Sequence, residues 1–371
     1  MVFCLLSILS RGAVSIISQL LFIAISLYYW VYANSKYVLP VYLKALNVLL
    51  VMFTIYGGLL IISGEHMRIE TLGVETSTTE YLKSIYKSLL PVYPFFVFGK
   101  QGVLKEKDIR LFFIVFLVLA ISSFFDSQGR SNMGYTFVAL LPVLVVYHKK
   151  PVIQYLGLAV CLYFIMIAAK RGAILCGVLC FVWFIITNLK KVQKKRKWIV
   201  VIVSLAVVLA GVYFYRYLME TNALFIYRME LTAEGNSSGR DDLYSIFFNH
   251  FIHEENPFRF LFGNGANGTL KISYNFAHND WLEIAINQGL IGLVIYLIYW
   301  VCFYVTWRKT KQHPQAFMAV GMFIIVYFLS TLFSMSYNNV GYCASMVLGY
   351  YLAVYDSDAE YVLQNDIKRI K

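Results

Sequence analysis

The stretch AHNDWLEIAINQGLIG at residues 277–292 places a histidine, an asparagine and two carboxylates directly ahead of a long apolar run. Histidine titrates near neutral pH and can take a proton from a hydroxyl, so His278 has the chemistry of a general base. The same ring at a helix start can equally be a structural hydrogen-bonding group. Asp280 and Glu283 have the spacing of a capping box, with Asp in the place of the usual Ser or Thr, and so predict a helix start. Asn279 is placed to orient the histidine or a bound hydroxyl. Glu283, one turn in, can raise the basicity of His278, as a carboxylate does in other base systems. Tyr274 lies just before this stretch and Trp281 within it, and aromatics at such positions anchor helices at membrane interfaces. Gly289 and Gly292 suit close packing within the spanning helix itself.

Two other polar groups stand out. In AAKRGA (168–173), Lys170 and Arg171 sit together between two apolar runs with no acid nearby. One reading is a tight turn with Gly172 as a helix C-cap. The other is an anion site, since a planar guanidinium can donate two parallel bonds to a phosphate. In NSSGRDDLYSIFF (236–248), Ser238 or Gly239 precedes a helix whose first turn holds Asp241 and Asp242, which suit its dipole. Arg240 at that position is either paired with one of those aspartates or directed at the same anion as Arg171.

The elements that position these residues must be membrane helices. Of the chain's 371 residues, 60% are hydrophobic and only 14% charged, against roughly 25% charged in soluble domains. Mean hydropathy is +0.66. The apolar runs are continuous and near twenty residues, not the alternating segments of a β-barrel. The expectation is an all-α, polytopic integral membrane protein. About eleven spans are placed near 12–33, 41–63, 82–98, 109–125, 133–148, 152–169, 173–188, 198–215, 286–306, 315–334 and 339–355. The whole of 1–371 is read as one membrane-embedded domain. The net charge of +12 lies mainly in short links, above all KKVQKKRK at 190–197, which marks cytoplasmic loops rather than a nucleic-acid surface. The only long link, 216–285, is then external and is expected to contain short helices. The six cysteines fall in or beside apolar runs and read as small buried hydrophobes. No metal-ligand spacing is present, and no internal repeat of the transporter kind.

Taken in order, KRG (170–172), SGR (238–240), FGNG (262–265) and AHNDWLEIAINQGLIG (277–292) resemble the O-antigen polymerase and ligase superfamily of bacterial surface-polysaccharide assembly. The resemblance spans residues 150–310 by motif and most of the chain by topology. It implies glycosyl transfer at the outer, periplasmic face of the bacterial inner membrane, from a glycan carried on undecaprenyl diphosphate. Arg171 and Arg240, with Lys170, would bind the diphosphate, and His278 would be the base. Asn279 and Glu283 would support it, and Tyr274 and Trp281 would stack sugars. No cofactor and no metal are implied. Diphosphate is already a good leaving group, and arginines can stabilise its developing charge. A single base-assisted displacement implies inversion at the anomeric carbon. The partners implied are the undecaprenyl-diphosphate-linked oligosaccharide, membrane lipids, a flippase and a chain-length regulator, with no nucleic acid.

A short chain, a modest external loop and KRG in place of a longer motif favour an O-antigen or capsule-type polymerase. The alternatives are a ligase that transfers glycan to the lipid A core, and a transporter or flippase of lipid-linked sugars. A transporter would carry its charged or broken helices near the membrane midplane in paired halves. Here the unusual residues all fall at the external edge of the expected topology.

Overall fold

A chain with so few charges has to satisfy its backbone polar groups locally, and in the computed structural model it does so with helices. The structure describes residues 13–69, 74–126, 133–191, 197–235, 239–336 and 344–356. Apart from a two-residue antiparallel pairing of Arg68–Ile69 with Val74–Glu75, the regular structure among them is helical. Seven helices among the described residues are long and apolar enough to cross a bilayer: Val14–Lys36, Val41–Ser63, Glu106–Phe125, Arg171–Lys190, Val200–Thr221, Asp280–Gln312 and Pro314–Phe333. The protein is an all-α, multi-pass membrane protein.

The other four expected spans take different forms. At 82–98 there are two helices, Glu80–Leu89 and Val92–Lys100, because Pro91 between them has no amide to continue the ladder. At 133–148 an α-helix, Gly134–Leu140, passes into a 3-10 helix, Leu141–Tyr147, with Pro142 in its first turn. Pro151–Ile167 is a continuous helix of 17 residues, about 25 Å long against a hydrocarbon core of about 30 Å. A helix occupies 344–356, and the start of the span expected at 339–355 lies outside the described residues.

The chain divides into two compact units: residues to Val103 with Arg240–Lys309 and the stretch from Ser330, and Leu104–Gly239 with Thr310–Leu329. In the first unit Val41–Ser63 packs along Asp280–Lys309. The Tyr42 ring lies 4.2 Å from that of Phe303. The Tyr42 amide, in the first turn of its helix, where amides lack helical acceptors, donates to Thr306 Oγ1 at 3.1 Å. In the second unit Phe137 stacks on Phe164 at 4.7 Å, with Phe124 edge-on to both. Only 11% of the Val200–Thr221 span is buried, and such an exposed apolar helix requires lipid around it.

Between Thr221 and Asp280 lie four short helices: Ala223–Ala233, Arg240–Ile252, Pro257–Phe262 and Gly268–Ser273. These are the short helices expected of the long link. Asn222 caps the first, accepting from the Phe225 amide at 3.0 Å. Asn256 caps the third, with Pro257 at its first position.

The helix that begins at Asp280 is not continuous. It breaks at Gly289, where φ is 68° and ψ −164°. The break leaves carbonyls without helical amides, and the FGNG loop supplies them: the Asn264 amide donates to Ile286 O at 2.8 Å and the Gly265 amide to Asn287 O at 3.0 Å. A Cβ at Gly289 would sit 2.5 Å from the Gly263 nitrogen and the Leu261 carbonyl. Gly289 is therefore required by a kink with positive φ and a close backbone contact, not by packing within an unbroken helix. Replacing Gly289 by Ala is expected to cost about 1–3 kcal/mol for a positive-φ extended conformation essentially confined to glycine and about 1–3 kcal/mol for the clash. Thermal unfolding in detergent measures this, with Gly211→Ala, whose Cβ would meet nothing within 4 Å, as the control that does not lower stability, since Ala is the better residue inside a helix. Equal unfolding temperatures for Gly289→Ala and wild type would contradict the account.

Candidate functional site

His278 is the exposed point of a buried polar scaffold. Its backbone is left-handed, with φ 52°, a conformation uncommon outside glycine and enriched in His, Asn and Asp. Neighbours on both sides hold it there. The Ala277 amide donates to Glu283 Oε1 at 2.6 Å. Asp280 is fully buried, and its carboxylate accepts from the Tyr296 hydroxyl at 2.6 Å and from the amide and hydroxyl of Ser336, the amide at 2.8 Å. With Ala277 and Asp280 both fixed inside, the left-handed turn puts the side chain at 278 outside.

The helix cap is displaced by one residue from the expected capping box. Asn279 is the cap, and its Oδ1 accepts from the Trp281 amide at 3.0 Å and the Leu282 amide at 3.2 Å. Asp280 and Glu283, expected to form the cap, are both interior. Glu283 accepts from Thr269 Oγ1 at 2.8 Å and Asn287 Nδ2 at 3.2 Å, besides the Ala277 amide. Its carboxylate thus acts on His278 through the backbone, not as the partner of the ring that the sequence suggested. Trp281 donates from Nε1 to Thr331 Oγ1 at 3.0 Å and lies edge-on to Tyr296, so its ring is engaged in helix packing. Tyr274, left-handed at φ 55° and 54% exposed, presents its ring at the surface.

Arg240 opens the Arg240–Ile252 helix after Gly239, whose φ is 77°. Phe247 of that helix is buried in one cluster with Ala277 and Ile286, which pins the helix against the His278 segment. Tyr244, one turn after Arg240, donates to Leu332 O at 3.1 Å and His278 O at 3.4 Å. Burial pushes the Tyr244 hydroxyl up from its ordinary pKa, while the Arg240 charge pulls it down. The first unit thus brings Arg240, Tyr244, His278 and Asn279 together.

Lys170 and Arg171 belong to the second unit. The turn before them is made by Ala169 at φ 52°, not by a C-cap at Gly172, which lies inside the next helix. Arg171 is the first residue of the Arg171–Lys191 helix, which has no acid in its first turn. Its Nη1 donates to Thr232 Oγ1 at 3.3 Å. Phe225, Leu218 and Ala169 form the buried cluster that fastens the Ala223–Ala233 helix beside this turn. A cation at a helix N-terminus opposes the dipole, whereas the same free amides favour an anion.

Thr269, Tyr244, Tyr296 and Ser336 had no signal of their own in the sequence. Asn287 did, as a polar residue inside an apolar run. Deleting the Asp280 carboxylate leaves the Tyr296 hydroxyl with only a 3.4 Å contact to Ser336 Oγ and takes the acceptor from the Ser336 amide, a buried donor worth about 1–3 kcal/mol when unsatisfied. Asp280→Ala is expected to lower the unfolding temperature and the yield of folded protein in detergent, and Asp280→Asn, which keeps one acceptor oxygen, to lose less. If Asp280→Ala unfolded like wild type, the anchoring role would be rejected.

Residues 156–297 match the family model described as O-antigen ligase, a stretch that contains Lys170, Arg171, Arg240, the FGNG loop and His278. No curated protein matches the chain. The match assigns residues 156–297 to the O-antigen polymerase and ligase superfamily, and with it a membrane glycosyl-transfer function in general.

Proposed function

We propose that the protein is a polysaccharide polymerase of the bacterial inner membrane, acting on its periplasmic side. It transfers a growing glycan from undecaprenyl diphosphate to a sugar hydroxyl of a second lipid-linked repeat unit. The observation that carries this reading is the exposed His278, held in a left-handed backbone between two buried acid anchors, with Tyr244 bonded to its carbonyl and Arg240 one turn before Tyr244.

In this mechanism a ring nitrogen of His278 takes the acceptor hydroxyl proton as the oxygen attacks the anomeric carbon. The bond from that carbon to the diphosphate oxygen breaks, and the electron pair leaves with the diphosphate. Arg171 and Arg240, with Lys170, neutralise the departing charge, so no acid and no metal need assist. One displacement inverts the anomeric configuration. Asn279 caps the helix behind the base and fixes its direction, and Tyr274 is the ring placed to stack a sugar.

His278→Ala is expected to slow transfer by about 10²–10⁴-fold, the usual contribution of a positioned base, while protein remains in the membrane at normal levels. Arg171→Ala and Arg240→Ala should each abolish long-chain polysaccharide, and a chelator such as EDTA should leave the wild-type rate unchanged. Gel analysis of the surface glycan reads all three variants. Full-length polymer from each of them would reject the assignment.

The description of the matched family, O-antigen ligase, favours a second reading in which the acceptor is a sugar of the lipid A core. Deletion of the gene separates the two. A glycan of one repeat unit on the core marks a lost polymerase; lipid-linked chains of full length that never reach the core mark a lost ligase.

A further inference from the structure

A groove of about 640 Å³ runs along the Val41–Ser63 helix in the first unit. One wall is the row Val48, Val51, Ile55 and Leu59, all well exposed. The opposite wall comes from Ile291 and Ile295 and from the Pro257–Phe262 helix. The Tyr56 hydroxyl donates to Phe262 O at 2.5 Å and ties that short helix to the long one. From Val48 to Ser63 the groove extends about 22 Å at 1.5 Å per residue. Its body is apolar and its mouth is not. Glu65 and Lys271 face each other there at 2.7 Å, beside Asn264 and Ser63.

We infer that this groove binds the acceptor lipid: its carrier chain in the apolar body and its diphosphate and first sugar at the Glu65–Lys271 mouth. The inference rests on the transfer reaction proposed above, and two features choose the occupant. First, the mouth has a cation for a lipid phosphate and, next to it, a carboxylate and an amide side chain for hydroxyls. Lys271 pairs with the phosphates of either kind of lipid. Only a glycosylated lipid also brings a ring of sugar hydroxyls to donate to the Glu65 carboxylate and the Asn264 side chain. Second, the mouth is mechanically joined to the candidate base. The six-residue helix Gly268–Ser273 carries Lys271 at the groove and Thr269 on Glu283, and Glu283 in turn holds the Ala277 amide ahead of His278. A sugar held at Lys271 is therefore positioned relative to His278 by one short, internally bonded element.

The test uses the full chain in phosphatidylcholine nanodiscs and a diazirine-bearing undecaprenyl diphosphate monosaccharide as probe. Photolabelling is expected on peptides covering 48–65 and 258–271, saturable, and not displaced by excess phosphatidylglycerol. Ile55→Trp and Leu59→Trp, which fill the groove from exposed positions, and Glu65→Ala are each expected to cut that labelling about tenfold, equivalent to about 1.4 kcal/mol of lost contact. In transfer assays they should raise the acceptor KM and leave kcat near wild type. Equal displacement by phosphatidylglycerol, or wild-type labelling of both Trp variants, would overturn the inference, as would lost labelling with an unchanged acceptor KM. Arg171→Ala keeps the groove intact and should label normally. Saturable groove labelling by a wild-type protein that transfers no glycan would reject the polymerase and ligase readings and, with them, the acceptor role, leaving only a glycolipid site.

Discussion

Everything around His278 depends on how the protein handles the break at Gly289. A kink inside an apolar run strips carbonyls of their helical amides, and a bare carbonyl in hydrocarbon costs several kcal/mol. The amides of Asn264 and Gly265 fill that place. The FGNG loop is thereby bound to the span by backbone contacts that leave no room for a side chain at Gly289. The segment just after this loop inherits its position from the junction. Gly268–Ser273 starts three residues past Gly265, its Thr269 amide and hydroxyl reach Asn287 and Glu283, and Glu283 fixes Ala277.

Burying two carboxylates one turn apart is costly unless each is fully engaged. Here each is surrounded by donors drawn from distant parts of the chain: Ser336 and Tyr296 for Asp280, Thr269 and Ala277 for Glu283. Such networks are rigid because losing any member leaves the others unsatisfied. The rigidity is exported to the one residue between the anchored positions whose side chain is exposed, and this is how a loop residue acquires the fixed direction that a base needs.

Composition and run length were enough to read the all-α membrane class and the positions of the seven long helices, because lipid permits few alternatives. The same reasoning overran at 82–98 and 133–148, where hydropathy stays high across Pro91 and Pro142 but the amide ladder does not. At the candidate site, residue types were legible and partners were not. His278, Arg171 and Arg240 stand out by chemistry alone. Whether an acid at 280 or 283 caps a helix or anchors its interior depends on Ser336, Tyr296 and Thr269, which are remote in sequence or chemically plain. The capping-box spacing failed for a local reason: Asn279 precedes Asp280 and takes the cap with its own side chain, leaving both acids free to turn inward.

The two arginines share a feature that bears on the role proposed for them. Each is the first residue of a helix, Arg171 of a 21-residue one and Arg240 of a 13-residue one, and a cation at that end is opposed by the dipole. At Arg240 the neighbouring Asp241 and Asp242 offset the mismatch; at Arg171 the first turn has no acid at all, and Lys170 precedes it. Two adjacent cations stacked on a helix N-terminus are electrostatically unfavourable. An anion placed there reverses the sign of every contribution at once, since it pairs with the side chains and also accepts from the free amides. On the reading proposed above, the donor diphosphate is the anion that would occupy that turn, beside the Arg171 bond to Thr232 Oγ1.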